Sequence, residues 1–321
     1  MALSLGTLTA YVEENKADLI LKAILGGKTL GLGVDIRDGI KSSEKIPILE
    51  TTVPFQSAAS CGFTTSGTTT ITQITLATSP IAVAEQICIK DLDAYFTQKW
   101  TPDNQNKDTT AIAQDIINRK IAHIANRVEQ MIWQGKTTYT NDTVLKQING
   151  WIAAIDTAGT AVAATQQASI SASTVRGIFE DIYQKIPAAA IWNEPAIAFC
   201  GMDTFRILVM KLMTDNLYHY SPEGWAEKWE MVYPGTNMKI IAVPGMNNDN
   251  PVDTGVLPTA VKNRIVATYA SNLLFGTALE KDISDMEMWF SQDDRVLKFY
   301  LEFRAGVNCK FFDHIVQYLN S

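Results

Sequence analysis

The stretch GGKTLG, Gly26 to Gly31, contains Gly27-Lys28-Thr29, the closing triplet of a phosphate-binding loop. In such a loop the lysine reaches the phosphates and the hydroxyl reaches a metal ion. The full pattern, G-x-x-x-x-G-K-[ST], needs a glycine at position 22, and Lys22 stands there. A helical pattern also precedes the triplet where a strand is required, so it reads as a helix stop. The three histidines, His123, His219 and His314, are not spaced with one another, or with a Cys or carboxylate, as metal ligands are. Ser66 lies in TTSGT, which lacks the glycine-flanked elbow of a hydrolase nucleophile. Asp282, Asp285, Glu287, Asp293 and Asp294 cluster in sequence, but strand alternation and an exposed turn account for them as solvated positions. Cys61, Cys88, Cys200 and Cys309 form no CxxC and read as reduced, partly buried thiols. Asn141-Asp142-Thr143 is a glycosylation sequon without a secretory context. Trp225, Trp229 and Tyr233 recur every four residues, which suits packing better than a cofactor box. The expectation is a protein without catalytic residues, cofactor or metal.

Composition narrows the class further. Hydrophobic residues make up 46% and charged residues 19% of the 321, the balance of a folded globular chain. The formal net charge is −7 and the 27 basic residues form no block, which argues against a groove that grips phosphates. The first 25 residues lack a positive region followed by an apolar run, so secretion is not expected. No window approaches the ~20 apolar residues that span a bilayer, so no membrane partner is expected.

The elements carry more information than the reactive residues. From Thr9 to Leu25 an amphipathic helix is expected, ended by Gly26-Gly27. A glycine-punctuated, extended arm follows to Glu44. Cys61 to Ile89, CGFTTSGTTTITQITLATSPIAVAEQICI, is rich in threonine and β-branched residues and has one charged residue, Glu85. With Ile46 to Phe55 it reads as a long β-ribbon that must find a surface to cover it. Ala113, Ile117, Ile121, Ile124 and Val128 recur at helical spacing within a helix expected over 109–134, roughly 39 Å long. An alanine- and threonine-rich link separates this spine helix from a helix near Ser173–Ile186. The strands AIAFCG, MKIIAVPGM and NRIVATYA, with the helix MDTFRILVMKLMTDN, then predict an α/β unit over 173–270. Its NNDNPVDTGVLPTAVK segment reads as a long exposed loop. In the C-terminal hairpin Leu297, Phe299, Leu301 and Phe303 alternate with Lys298, Tyr300, Glu302 and Arg304, a core face and a wet face.

This order of parts resembles the major capsid proteins of tailed bacteriophages, the Hong Kong 97-type fold. The resemblance spans essentially the whole chain. It is carried by IPILE…CGFTTSG…AVAEQICIKDLDAYF, NRVEQMIWQGKT with INGWIAAID, FCGMDTFRILVMKL, and IVATYASNLLFGTALEKDISDMEMWFSQDDRVLKFYLEFRAGV. Asn272, Leu273, Phe275, Gly276, Thr277 and Leu279 match the family's Asn-Leu-x-Phe-Gly-Thr-(x)-Leu run before the final hairpin. It implies an α+β fold with an N-terminal arm (1–44), an extended β-hairpin loop (45–89), a peripheral domain (90–172) with the spine helix, an axial domain (173–270), and a return to the peripheral domain (271–321). It implies contacts between subunits through Phe63, Thr68, Ile71, Ile74 and Leu76 of the extended loop and Asn247, Asn248, Asp249 and Asn250 of the axial loop. The implied function is an icosahedral shell of pentamers and hexamers enclosing double-stranded DNA without sequence-specific binding, assembled in the bacterial cytoplasm. Portal, scaffold and decoration proteins are the implied partners. No lysine occurs between Lys45 and Lys90, so no lysine–asparagine cross-link from this ribbon is expected. The single short helix before the arm implies a separate scaffold or none. An encapsulin-type compartment is the alternative within the architecture. An α/β enzyme with an oligomerisation ribbon and an adhesin-like β protein are the alternatives outside it.

Overall fold

A computed structural model of the chain describes residues 5–55, 67–88, 109–140, 142–192, 194–215, 229–249, 261–279 and 285–319, and the structural statements below concern these. Helix α1 (Leu5–Leu25) lies along the spine helix α2 (Thr109–Gln134). Val12, Leu19, Ile20, Ala23 and Ile24 bury one face of α1 in the core that also takes Ile117, Ile121, Ile124 and Val128 of α2. Gly26 ends α1 where any Cβ would fall 3.3 Å from that of Ala125, so the helices meet closely at that end.

The same core is floored by a sheet built on the long strand β12 (Val296–Cys309). On one side β12 pairs antiparallel with β11 (Asp285–Ser291) and then with β10 (Leu273–Thr277). β10 carries the short parallel strand β1 (Asp35–Arg37). On the other side β12 pairs with β4 (Ser79–Cys88), from Val296↔Cys88 to Ala305↔Ser79. Leu297, Phe299, Leu301 and Phe303 all face the helices and are buried.

A second, mixed sheet runs β5 (Val162–Ala163), β13 (Val316–Tyr318), β9 (Ile265–Thr268), β6 (Ile197–Cys200), β8 (Lys239–Ala242), β7 (Glu230–Val232). Both of its faces are covered, which is why β6 and β9 read as unbroken apolar runs. Ile197, Phe199, Ile241 and Val266 face the first core. Ala198, Cys200, Ile240 and Ala267 face a second core with helices α4 (Val175–Lys185) and α6 (Met202–Thr214). Between the spine and this unit stands α3 (Trp151–Ala158), and the short α5 (Ala188–Ile191) precedes β6. The remaining element is a ribbon of β2 (Ser43–Thr52) and β3 (Thr68–Ala77), paired from Ser43↔Ala77 to Thr52↔Thr68.

Four sequence expectations are corrected. The segment before Glu44 is not an arm that buries little: Leu30, Val34 and Ile40 are buried and β1 is a sheet strand. The ribbon ends at Ala77, because β4 finds a ten-residue partner in β12. The alanine-rich link contains α3, whose Trp151, Ile152 and Ile155 are buried despite the weak composition. The C-terminal residues 316–318 leave the first sheet to join the second, since β9 offers Val316 and Tyr318 an unpaired apolar edge.

Candidate assembly surfaces

Gly27-Lys28-Thr29 holds a carboxylate inside the protein. The Thr29 amide donates to Glu129 Oε1 at 3.2 Å, the Thr29 hydroxyl donates to the same oxygen, and Trp133 Nε1 donates to that hydroxyl at 2.8 Å. Lys28 Nζ donates to the Ala242 carbonyl at 2.9 Å. Burial pushes the Glu129 carboxyl above its ordinary pKa, against the Thr29 hydrogen bonds, and pulls the Lys28 ammonium below its own. Trp133 also meets Trp151 and Phe199, with ring centroids at 4.9 and 5.1 Å. The node thus ties the end of α1 to the spine and to the second sheet. Sequence inspection passed over Glu129. Its one visible signal was a lone acid on the apolar stretch RVEQMIWQ.

Several of the other residues considered for chemistry have partners within the chain. His314 stacks on Phe311 and lies 3.2 Å from the Tyr269 hydroxyl. Cys200 is buried and its thiol is pushed up to about 12, and burial pushes Cys309 up as well. Asp285 pairs with Lys16, and Asp294 pairs with Lys298 at 2.6 Å. Among the described residues, no group of three His, Cys, Asp or Glu could hold a metal ion. None of their helices is long and apolar enough to cross a membrane. Cys61, Ser66, Asn141, His219, Trp225 and Asp282 lie outside the described residues.

What the molecule offers instead is uncovered apolar surface on the ribbon. Leu49 and Ile71 are register partners, so they stand side by side on one face. They are 63% and 69% exposed, and Val53 and Phe55 beyond them are 69% and 98% exposed. Leu49, Val53 and Phe55 were not singled out from the sequence, although the alternation Leu49-Thr51-Val53-Phe55 was there to be read. Thr68 is exposed and Ile74 is half-buried. Leu76 corrects its inter-subunit assignment. It is 0% exposed, enclosed with Ile40, Ile46 and Leu274 inside its own chain. Phe63 lies outside the described residues.

Two asparagines of the axial loop are also committed inside the chain. The Asn247 side chain accepts from the Met202 amide at 2.8 Å, capping α6, and its carbonyl accepts from Gln134 Nε2 of the spine at 3.0 Å. Asn248 exchanges two hydrogen bonds with Asn263, at 2.6 and 2.7 Å, and holds that residue at φ +55°. Asp249 is exposed and Asn250 lies outside the described residues. Elsewhere on this unit Trp192, 86% exposed, and the helix pair Met210 and Met213 present apolar surface.

No protein-family model and no curated protein matches the sequence. The fold does match solved structures. The chain superposes on the Gordonia phage Cozz structure with a TM-score of 0.59 at 13% identity, over 92% of this chain and 87% of that one. It superposes on the procapsid of satellite phage P4, which includes the size determination protein, with a TM-score of 0.58 at 9% identity, over 96% and 98%. A virus-like particle from Pyrococcus furiosus gives 0.51 at 10% identity, over 96% and 99%. The chain has the α+β fold of phage capsid proteins, the Hong Kong 97-type fold, along nearly its full length.

Proposed function

We infer that the protein is a major capsid protein, the structural subunit of the icosahedral shell around the double-stranded DNA of a tailed phage. The observation that carries this is the ribbon. A fold shared along nearly its full length with shell subunits leaves Leu49 and Ile71 exposed on one β-ribbon and Val53 and Phe55 exposed just beyond the end of β2. Covering each would contribute about 1.5–3 kcal/mol, and a shell repeats the contact at every subunit. Pentamers and hexamers of this chain supply the cover. The peripheral unit is the spine with the β12 sheet, the axial unit is the second sheet with α4 and α6, and the ribbon crosses onto a neighbour. The net charge of −7 suits a lining that does not grip packaged DNA. The protein then resides in the virion, after assembly in the bacterial cytoplasm, with portal, scaffold and decoration proteins as further partners.

The test is electron microscopy and sedimentation of the purified chain beside the double variant Leu49→Ser/Ile71→Ser. The wild type is expected to form closed shells. The variant is expected to stay unassembled with a melting temperature close to that of unassembled wild type, because both side chains are already solvated there. A discrete oligomer of a few subunits in the wild type would overturn the reading. The likeness to the Pyrococcus furiosus particle keeps a second reading open, a compartment that encloses protein cargo. Particles filled with protein instead of DNA in the native host would favour it.

A further inference from the structure

Between β4, the spine and residues 143–147 runs a groove of about 250 Å³. Its interior is apolar, lined by Val83 of β4, by Ile124, Val128 and Met131 of the spine, and by Val144 and Phe303. Its positive charge stands on one wall. Lys120, His123 and Arg127 follow one another along the spine at i, i+3 and i+7, a spacing that sets side chains in one stripe. The facing wall supplies one carboxylate, Glu85, whose Oε2 lies 2.6 Å from Lys120 Nζ. Lys120 and Arg127 against Glu85 leave the lining one positive charge in surplus, His123 not counted. Lys120 is not placed like a surface lysine. Its side chain is only 12% exposed, and its ammonium lies 4.9 Å from the centroid of the Phe299 ring. Arg127 is half-buried and donates to Gln130 Oε1 at 3.0 Å.

We propose that this groove binds a free alkyl carboxylate, with the hydrocarbon chain on the Val128, Met131 and Phe303 floor and the carboxylate against Lys120 and Arg127. The proposal does not depend on the shell-subunit reading, because every residue of the groove belongs to one chain. Three features select this class of ligand. The floor takes a hydrocarbon chain out of water, which favours binding in proportion to the area covered. One carboxylate balances the lining, and a guanidinium beside an ammonium suits its two oxygens, whereas an alkylammonium would be repelled by both. The volume falls below the roughly 300–1,000 Å³ of pockets for drug-sized molecules, so a single alkyl chain suits it. A partner helix, about 10–12 Å across with its side chains, is too wide. Met131 adds adaptability, since an unbranched thioether can follow the shape of the chain it covers. A ligand seated there touches β4 and the spine together.

The test is calorimetric titration of the purified, unassembled full-length chain with decanoate, decanol and decylammonium, each kept below its micellar concentration. Decanoate is expected to saturate one site per chain. Decanol, which keeps the hydrocarbon and lacks the charge, is expected to bind at least about tenfold more weakly, and decylammonium more weakly still. Arg127→Met keeps an apolar stem and removes the charge. It is expected to weaken decanoate about tenfold and leave decanol unchanged, and Arg127→Lys is expected to recover most of that loss. Val144→Trp fills the groove and is expected to abolish binding of both. Thermal unfolding of each unliganded variant reports that it is folded. Methyl spectra of the methionine-labelled wild type locate the ligand without any binding variant. The Met131 signal, assigned by its loss in Met131→Leu, is expected to shift most with decanoate. Titrations that never saturate, decanol that binds as tightly as decanoate, or a shift that spares Met131 overturn the proposal. Binding to phosphatidylglycerol vesicles with none to decanoate also overturns it, and assigns the basic stripe to a membrane headgroup.

Discussion

At the scale of single residues, two buried ionisable groups hold the packed units together. Glu129 accepts two hydrogen bonds from Thr29, yet burial dominates and raises its pKa in the folded state. A carboxyl whose folded pKa lies above its unfolded value favours folding in its protonated form. Its contribution is complete below the unfolded pKa, near 4.5, and is lost as pH rises through the folded pKa. Glu129→Gln keeps an oxygen for Thr29 and cannot ionise. The expected outcome is a wild type that loses stability relative to Glu129→Gln as pH rises from 4 to 8, read by thermal unfolding of the unassembled chain at each pH. A constant difference across that range would assign Glu129 a role independent of its charge. The second group is Arg264, buried at the start of β9, which donates from its terminal nitrogen to Asp156 near the end of α3 and leaves its Nε without a partner. Asp156→Asn takes away the countercharge from that guanidinium. Breaking a fully buried pair costs about 3–5 kcal/mol. The Asp156 side chain is 41% exposed, so solvent screens part of that cost and the loss is expected to fall between the buried and exposed limits, about 1–2 kcal/mol by denaturant unfolding.

At the scale of elements, the decisive joint is where the ribbon meets the β12 sheet. Gly276 of β10 and Gly306 of β12 face each other in the ladder, leaving a bare patch of sheet. The base of β3 lies across it. A Cβ on Gly306 would strike the Ala77 carbonyl oxygen, and one on Gly276 would come within 3.0 Å of Leu76. Ile40 and Thr78 close the joint, the Thr78 hydroxyl donating to the Ile40 carbonyl at 2.9 Å. Gly306→Ala sets backbone against backbone, with no flexible side chain to yield. It is expected to destabilise the chain by about 2–3 kcal/mol in denaturant unfolding and to expose the ribbon base to proteases. A neutral Gly306→Ala would mean that the ribbon is not seated there. How legible these elements were follows from their physics. The spine and β12 were plain, because Ile117, Ile121, Ile124 and Val128 repeat at helical spacing and Leu297, Phe299, Leu301 and Phe303 at strand spacing. α3 was hidden, because eight residues of TrpIleAlaAlaIleAspThrAla carry only two turns of pattern. The partition of residues 68–88 into two strands was hidden as well. Threonine-rich sequence favours a strand without saying which partner it takes, and that choice lay with β12, two hundred residues away. The gly-gly joint was present in the sequence as two unremarkable glycines, and only the ladder register brings them opposite each other.

At the scale of the whole molecule, the described residues of the N-terminal quarter divide into a part whose apolar side chains are covered within the chain and a part where large apolar side chains stay exposed. Val12 to Ile40 is closed: α1 is buried on the spine, β1 on β10, and Ile40 under the ribbon base. Leu49 to Phe55 and Thr68 to Gln73 are open. In the shell-subunit reading this is a working division of labour. The closed part lets each subunit fold before it meets another, and the open part ensures that folding alone does not bury everything the sequence made apolar. Limited proteolysis of the unassembled chain tests the division, because cleavage requires a segment to open and leave its neighbours. The expected outcome is that cuts fall first between residues 45 and 75, while residues 12–40 survive until global unfolding. Shells of the same chain are expected to lose the early cuts. Early cleavage within α1 would mean that the first helix also depends on a neighbour, and that the closed part is smaller than its packing indicates.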